Sequence, residues 1–253
     1  MKEAHQPSPK LARSVQRAFS RSVSATYELV NHVLTFGNDA LWRRKAARIG
    51  ATSGGERWAD LCTGTGETAS YLGRLASSRT AVCAVDFSLP MMAEALKKPE
   101  ARHIHFIVSD VRALVFPNET LDLITISFAT RNINLSREVL VQTFAEFHRV
   151  LKPGGRFVNL ETSQPSFGPL RRLYHLYIRL VVKRVGGLIS GSYSAYRYLA
   201  HTIPRFYPPG ELSDIMSRAG FENVTYKRLW FGIAAIHHGT KALDPVSQAR
   251  PGR

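Results

Sequence analysis

The residues best placed to do chemistry lie in Asp60-Leu61-Cys62-Thr63-Gly64-Thr65-Gly66, where an apolar run gives way to a glycine turn and then a helix-like stretch. A turn of this kind lets a ligand approach the backbone at a helix N-terminus. Asp86 closes the next apolar run, where a carboxylate can accept both hydroxyls of a ribose. The run Gly64-Thr65-Gly66-Glu67-Thr68-Ala69 also fits the pattern G-x-G-x-x-G/A, so the turn alone matches both nucleotide classes. The acids separate them. Asp60 and Glu67 would repel a pyrophosphate, and Asp60 can instead pair with a cationic amino-acid end. Asp110, followed by Val111, closes the third run, where an acid can accept from an adenine amino group. Together they favour S-adenosylmethionine over a dinucleotide, with Asp60, Gly64, Thr65, Gly66, Asp86, Asp110 and Val111 as its contacts.

Five short runs must position these groups: Arg57–Cys62, Thr80–Asp86, His103–Asp110, Leu121–Phe128 and Gly155–Glu161. They are apolar throughout rather than alternating, as expected of strands buried on both faces of a parallel sheet. Helical stretches at Thr68–Ala76, Met91–Lys98 and Arg137–Leu151 separate them, which implies an α/β, Rossmann-like doubly wound sheet. Residues 1–50 are predicted to form an N-terminal helical cap, with Leu11, Val15, Ala18 and Phe19 on one helix face. Residues 51–241 form the Rossmann-like domain. A Tyr- and Arg-rich helical insertion, about 165–200, interrupts it before a helix at Glu211–Ala219 and a C-terminal hairpin. Residues 242–253 read as a flexible tail.

The protein has 253 residues, of which 44% are hydrophobic and 10% aromatic, a composition that excludes intrinsic disorder and coiled coil. Two cysteines, Cys62 and Cys83, rule out a disulfide scaffold. No metal-ligand spacing is present among the nine histidines. The net charge is +15, and it is uneven: residues 1–50 carry +6, residues 51–168 are neutral, and residues 169–253 carry +9. Within 170–185, Arg171, His175, Arg179 and Lys183 repeat every four residues and form one stripe of a helix. Basic amphipathic helices of this kind lie in membrane interfaces. The same charge raises a nucleic-acid-binding or RNA-modifying reading, but no RNA-binding motif accompanies it.

The segment VLKPGGRFVNLE, Val150 to Glu161, resembles a class I S-adenosylmethionine-dependent methyltransferase. FPNETLDLITISFATRN (116–132), YELVNHVLTFGNDALWRRKA (27–46), YRYLAHTIPRFYPPGELSDIMSRAGF (196–221) and GIAAIHHGTK (232–241) resemble more narrowly the UbiE/MenG family of quinone C-methyltransferases. The likeness covers roughly residues 15–241. It departs at Cys62-Thr63, at Tyr27-Glu28 and at Asp110-Val111. The resemblance implies C-methylation of a prenylated hydroquinone, most simply demethylmenaquinol to menaquinol, or else of a ubiquinone precursor or another lipophilic phenol. It implies a catalytic role for Arg131 and Asn132, with Arg131 acting through water. Arginine stays protonated, so Arg131 is better read as stabilising a phenolate than as the base itself. Ser127 would line the cofactor pocket, and Tyr196, Tyr198 and His201 the quinol pocket. The expected setting is cytoplasmic, peripheral on the inner face of an anionic membrane, without nucleic acid. The oligomeric state, a homodimer included, is left open.

Overall fold

The computed structural model describes residues 24–52 and 54–243. The proposed helix through Leu11 and Phe19, and the tail from Asp244, lie outside the described residues. Seven strands form one sheet: β1 (Arg57–Leu61), β2 (Ala81–Asp86), β3 (Ile104–Val108), β4 (Leu121–Ser127), β5 (Leu151–Thr162), β6 (Glu222–Leu229) and β7 (Ala234–Thr240). Their order is β3-β2-β1-β4-β5-β7-β6. The first five pair in parallel, and β7 enters antiparallel between β5 and β6. The order reverses between β1 and β4, so a crevice opens at the carboxyl ends of those strands, where doubly wound sheets bind ligands.

All five expected strands and the hairpin are present. One strand boundary differs by more than two residues: β5 begins at Leu151, so Lys152-Pro153-Gly154-Gly155 belongs to the strand and not to a helix–turn connection. Pairing explains this. Leu151 lies opposite Leu121, Gly154 N–H donates to the carbonyl of Lys241 (3.0 Å), and Lys241 N–H donates back to Gly155 (2.9 Å).

Helices α1 (Tyr27–Thr35), α2 (Asn38–Ala51), α3 (Glu67–Leu75), α4 (Leu89–Ala95), α5 (Thr130–Ile133) and α6 (Arg137–Val150) precede β5. After it come α7 (Gly168–Tyr177), α8 (Lys183–Ser190), α9 (Tyr193–Thr202) and α10 (Pro209–Arg218). One sheet face packs Phe157 against Phe144 and Phe147 of α6 and Leu212 and Ile215 of α10. The other packs Val158 and Leu160 against Trp42 and Ala46 of α2 and Leu72 of α3. A third cluster, away from the sheet, holds Val30 of α1 with Tyr174, Ile178, Val182, Ala195 and Tyr196. The insertion thus has its own core, and α1 closes onto it. Tyr177 adds a hydrogen bond from its hydroxyl to the carbonyl of Leu34 (2.7 Å).

The basic segment is helical, but a π-turn at Ile178–Val182 divides it. Arg171, Arg172, Arg179, Lys183 and Arg184 are exposed, together with Leu173, Leu176 and Leu180. Among the described residues no helix is long and apolar enough to cross a membrane.

Gly186 sets how closely α8 approaches α9. A Cβ there would collide with the buried Tyr196 ring. Gly186→Ala should therefore cost about 1–3 kcal/mol through overpacking. Gly210→Ala, with nothing within 4 Å of the added carbon, should be neutral or stabilising by up to about 1 kcal/mol. Urea unfolding followed by circular dichroism distinguishes the two, and equal midpoints would refute the packing argument.

Candidate active site

The glycine turn is held open by backbone geometry. Cys62, Gly64 and Gly66 all have positive φ (50°, 57° and 78°). At Gly66 the need is steric as well as conformational, because a Cβ would stand 2.8 Å from that of Ala95. Asp86 locks the turn to the end of β2. Its Oδ2 accepts from Gly64 N–H and its Oδ1 from Ser88 N–H, both at 2.8 Å. Burial raises the Asp86 pKa, and these amides pull it back. Each oxygen keeps a lone pair for a ribose hydroxyl.

A cavity of about 110 Å³ lies above the turn. Gly64, Thr65, Asp86 and Ser127 line it, as the sequence predicts. Tyr27, Arg43, Phe87, Met91 and Phe128 line it too; Tyr27, Arg43 and Phe128 fall in the family-like blocks, but none of the five was expected as a cavity residue. Arg43 alone had a legible signal. It shares the buried face of α2 with Trp42, Ala46, Ala47 and Gly50, where an arginine needs a reason to be.

Other expected contacts fall elsewhere. Asp60 is 1% exposed and lies beneath the cavity, not among its lining residues. Its oxygens accept from Thr63 Oγ1 (2.7 Å) and Thr125 Oγ1 (2.6 Å), so it braces β1 against β4. Burial raises its pKa to about 6, with the threonines and Arg43 opposing the rise. Gly66 serves the turn without lining the cavity. Asp110 faces solvent in a two-pronged pair with Arg112, whose guanidinium occupies the same oxygens. Val111 is in the core under α6.

Beside this cavity lies a second, apolar one of about 420 Å³. Tyr27, Phe128 and Asn132 border both. Arg131 lines the apolar cavity and is buried, yet its Nε and Nη1 have no hydrogen-bond partner among the described residues. Asn132 Oδ1 is likewise buried and unpartnered. The backbone beneath them is fixed from β5. Glu161 Oε2 accepts from Arg131 N–H (3.0 Å), and Asn159 Oδ1 accepts from Thr130 Oγ1 (2.9 Å). Tyr174 lines the apolar cavity and Tyr198 the polar one. Tyr196 instead packs in the insertion core, and His201 is exposed beside Arg205 (3.0 Å); neither borders either of these two cavities. The outer wall of the apolar cavity includes the exposed Phe36, Trp230 and Phe231, all with positive φ, and Leu173.

This fold and site define an S-adenosylmethionine-dependent methyltransferase. The cavity's donors and acceptors fit that cofactor: a free-edged carboxylate at the β2 end, apolar Phe87 and Met91 beyond it, and a buried cation, Arg43, at the other side. Residues 8–241 match the model of the ubiE/COQ5 methyltransferase family, and the protein belongs to that family. It is 41% identical over 221 residues to a demethylmenaquinone methyltransferase of Thermus thermophilus, covering 87% of this chain and 98% of that one. It is 39% identical over 228 residues to a ubiquinone/menaquinone biosynthesis C-methyltransferase UbiE of Rubrivivax gelatinosus, covering 90% and 87%. Among solved structures, an S-adenosylmethionine-dependent methyltransferase from Thermotoga maritima superposes with a TM-score of 0.62 at 20% identity, covering 90% of this chain and 99% of that one. At that identity the likeness is one of fold.

Asp60 gives the site a pH signature. Its folded pKa of about 6 exceeds the ordinary 3.8. The unfolded state therefore releases this proton first, and stability falls as pH rises through the interval between the two values. The loss totals about 3 kcal/mol and is complete above pH ~7. Asp60→Asn removes that slope. The stability difference between variant and wild type, from urea unfolding at pH 4 and pH 7, should shift by about this amount in the variant's favour. A pH-independent difference would show that Asp60 does not titrate there.

Proposed function

We propose that this enzyme methylates a ring carbon of a prenylated hydroquinone, demethylmenaquinol to menaquinol, at the seam between the two cavities. The observation that carries this is the pair Arg131-Asn132. It places unpartnered, buried polar atoms on the wall of a large apolar cavity, next to the cofactor cavity. A buried arginine with free N–H groups is held for an oxygen that the substrate brings.

S-adenosylmethionine supplies an electrophilic methyl on a sulfonium. A quinone ring is too electron-poor to take it, whereas a hydroquinone, as phenolate, is nucleophilic at the carbon beside the oxygen. The ring carbon gains a C–C bond and sheds one proton, leaving the methylated hydroquinone and S-adenosylhomocysteine. Arg131 stabilises the phenolate oxygen and polarises a water that takes the ring proton. Asn132, bordering both cavities, orients the ring. Tyr27 and Phe128 border both cavities as well and hold the reactants face to face. The apolar cavity takes the ring and the start of the tail. The relatives bearing demethylmenaquinone and ubiquinone names support this substrate class. The cavity's apolar lining supports a lipophilic phenol in general, so a ubiquinone precursor is the second reading.

Arg131→Lys keeps the charge but loses the planar fork. Turnover on demethylmenaquinol should fall by roughly 100-fold or more, the scale of one lost transition-state donor. Affinity for S-adenosylmethionine, by calorimetry, should stay within about 3-fold, since less than 1 kcal/mol is at stake away from the cofactor. Near-normal turnover would make the pair structural. Parallel assays with a demethylated ubiquinone precursor decide between the two substrates.

We further propose that the enzyme works peripherally on an anionic membrane. The exposed Arg171, Arg179, Lys183 and Arg184 lie on the insertion that walls the apolar cavity, and Phe36, Trp230, Phe231 and Leu173 are exposed on the same wall. Each basic residue near an anionic surface contributes about 1 kcal/mol, screened within a Debye length. The wild type should cosediment with anionic vesicles at low salt and be released by raised salt. Changing all four basic residues to Gln should weaken sedimentation and slow methylation of a long-chain quinol, with a short-chain analogue little affected. Equal loss on both substrates, or sedimentation indifferent to lipid charge, would contradict the membrane role.

A further inference from the structure

We infer that Arg43 of α2 is the anchor for the α-carboxylate of S-adenosylmethionine, and that Glu67 holds it in place for that task.

Arg43 is only 5% exposed, yet it lines the cofactor cavity. Its guanidinium lies over the Phe128 ring, 5.0 Å from the centroid, which fixes the plane. One edge faces Glu67, the first residue of α3: Nε stands 3.2 Å from Glu67 Oε2. That is an ion pair off the hydrogen-bond line, and both atoms lack an aligned partner. Nη1 makes one long contact, 3.4 Å, with Thr68 Oγ1. A buried guanidinium has five donors to satisfy, and this one spends them poorly within the protein. Burial works to lower its pKa, and the surrounding carboxylates, led by Glu67, more than offset this, so it is a permanent cation.

Position selects which part of the ligand it meets. Asp86 ends β2 and Ser127 ends β4, on either side of β1. Two strand spacings separate them by roughly 10 Å. Thr68 bridges Arg43 to Ser127, donating to Ser127 Oγ at 3.0 Å. Arg43 therefore sits at the β4 side of the cavity, while the ribose-binding carboxylate sits at the β2 side. A nucleoside whose ribose lies on Asp86 reaches Arg43 with its amino-acid arm, and the only anion on that arm is the α-carboxylate. A planar fork of N–H groups is matched to a carboxylate. Asp60, beneath this end, is occupied by two threonines, and Glu67 faces Arg43 itself. The arm is thus gripped by its negative end.

Glu67 is itself clamped. His32 Nε2 lies 3.7 Å from its Oε1, and His32 Nδ1 lies 2.9 Å from Asp39. These contacts tie α1, α2 and α3 into one frame around Arg43.

Arg43 is assigned to the cofactor and not to the quinol, so the test contains no quinol. Calorimetry would compare S-adenosylmethionine with decarboxylated S-adenosylmethionine, which keeps the sulfonium and the amine. A charge-assisted pair predicts that the wild type prefers the carboxylated form by roughly 10- to 100-fold. Arg43→Met should lose most of that preference while binding the decarboxylated form within about 3-fold of wild type, less than 1 kcal/mol. Arg43→Lys should recover part of it. Should Arg43→Met fail to fold, the double variant Arg43→Met/Glu67→Gln removes the stranded carboxylate and should show the same loss of preference. A wild type without preference overturns the inference. So does a variant that keeps the preference, or one that binds both ligands equally more weakly. Absence of any S-adenosylmethionine binding by the wild type would instead fault the cofactor reading.

Discussion

Much of this molecule depends on one carboxylate at one strand end. Asp86 accepts two backbone N–H groups from segments that are not neighbours in sequence, Gly64 of the turn after β1 and Ser88 before α4. It braces a turn with three positive-φ residues in five, alongside the backbone bonds from Thr63 N–H to Val85 and from Gly66 N–H to Thr63. With it, the amides and the carboxylate form one surface. Charged acceptors of paired amides are among the stronger hydrogen bonds available to a protein. The position is also set from below, because parallel pairing of β1 with β2 and with β4 aligns the ends of all three strands.

A second principle is the pairing of wet and dry spaces. The cofactor cavity is polar at its floor, and its neighbour is apolar almost throughout. They share a thin wall in which Phe128 takes a left-handed backbone conformation (φ 58°) while its amide bonds to Leu160 (2.7 Å). Such strain persists where the surroundings over-determine it. Here it lets one ring meet both Arg43, 5.0 Å from its centroid, and Trp42, 6.4 Å away. On the α2 side of that wall the buried Arg43 faces Glu67, and His32 Nδ1 lies 2.9 Å from Asp39. Buried charge of this kind costs desolvation and is tolerated where it has a task.

The sheet was legible because strands buried on both faces are written as continuous apolar runs. The turn was legible because glycine spacing is a backbone requirement. The place of Asp86 was legible too, since a strand end and a fixed offset locate it on the cavity lining. Asp60 and Asp110 show the limit of that logic. They hold the same kind of place in sequence, but Thr63 and Thr125 absorb one, and Arg112, two residues on, absorbs the other. Competing partners, whether distant or local in sequence, are invisible in a linear motif. Arg43 was hidden for the opposite reason: among nine basic residues in the first fifty it looks like surface charge, and only the apolar company on its helix face sets it apart. The insertion was the least legible part. Its periodicity is broken by the π-turn, and its tyrosines divide: Tyr174 and Tyr196 share the insertion core, with Tyr174 also lining the apolar cavity, while Tyr198, on the same helix as Tyr196, lines the polar one.

The three tryptophans are divided between the two halves of this design. Trp58 is buried in the sheet with its indole N–H on the Gly54 carbonyl (2.9 Å). Trp42 and Trp230 meet edge to face, 6.1 Å apart, on the wall of the apolar cavity. The molecule thereby carries its own optical probes. Red-shifting of Trp58 emission reports opening of the core, whereas quenching or blue-shifting of the Trp42–Trp230 pair reports a lipophilic guest. With Trp58 replaced by Phe, the remaining light comes from the cavity wall alone, and ligand entry can be followed without any label.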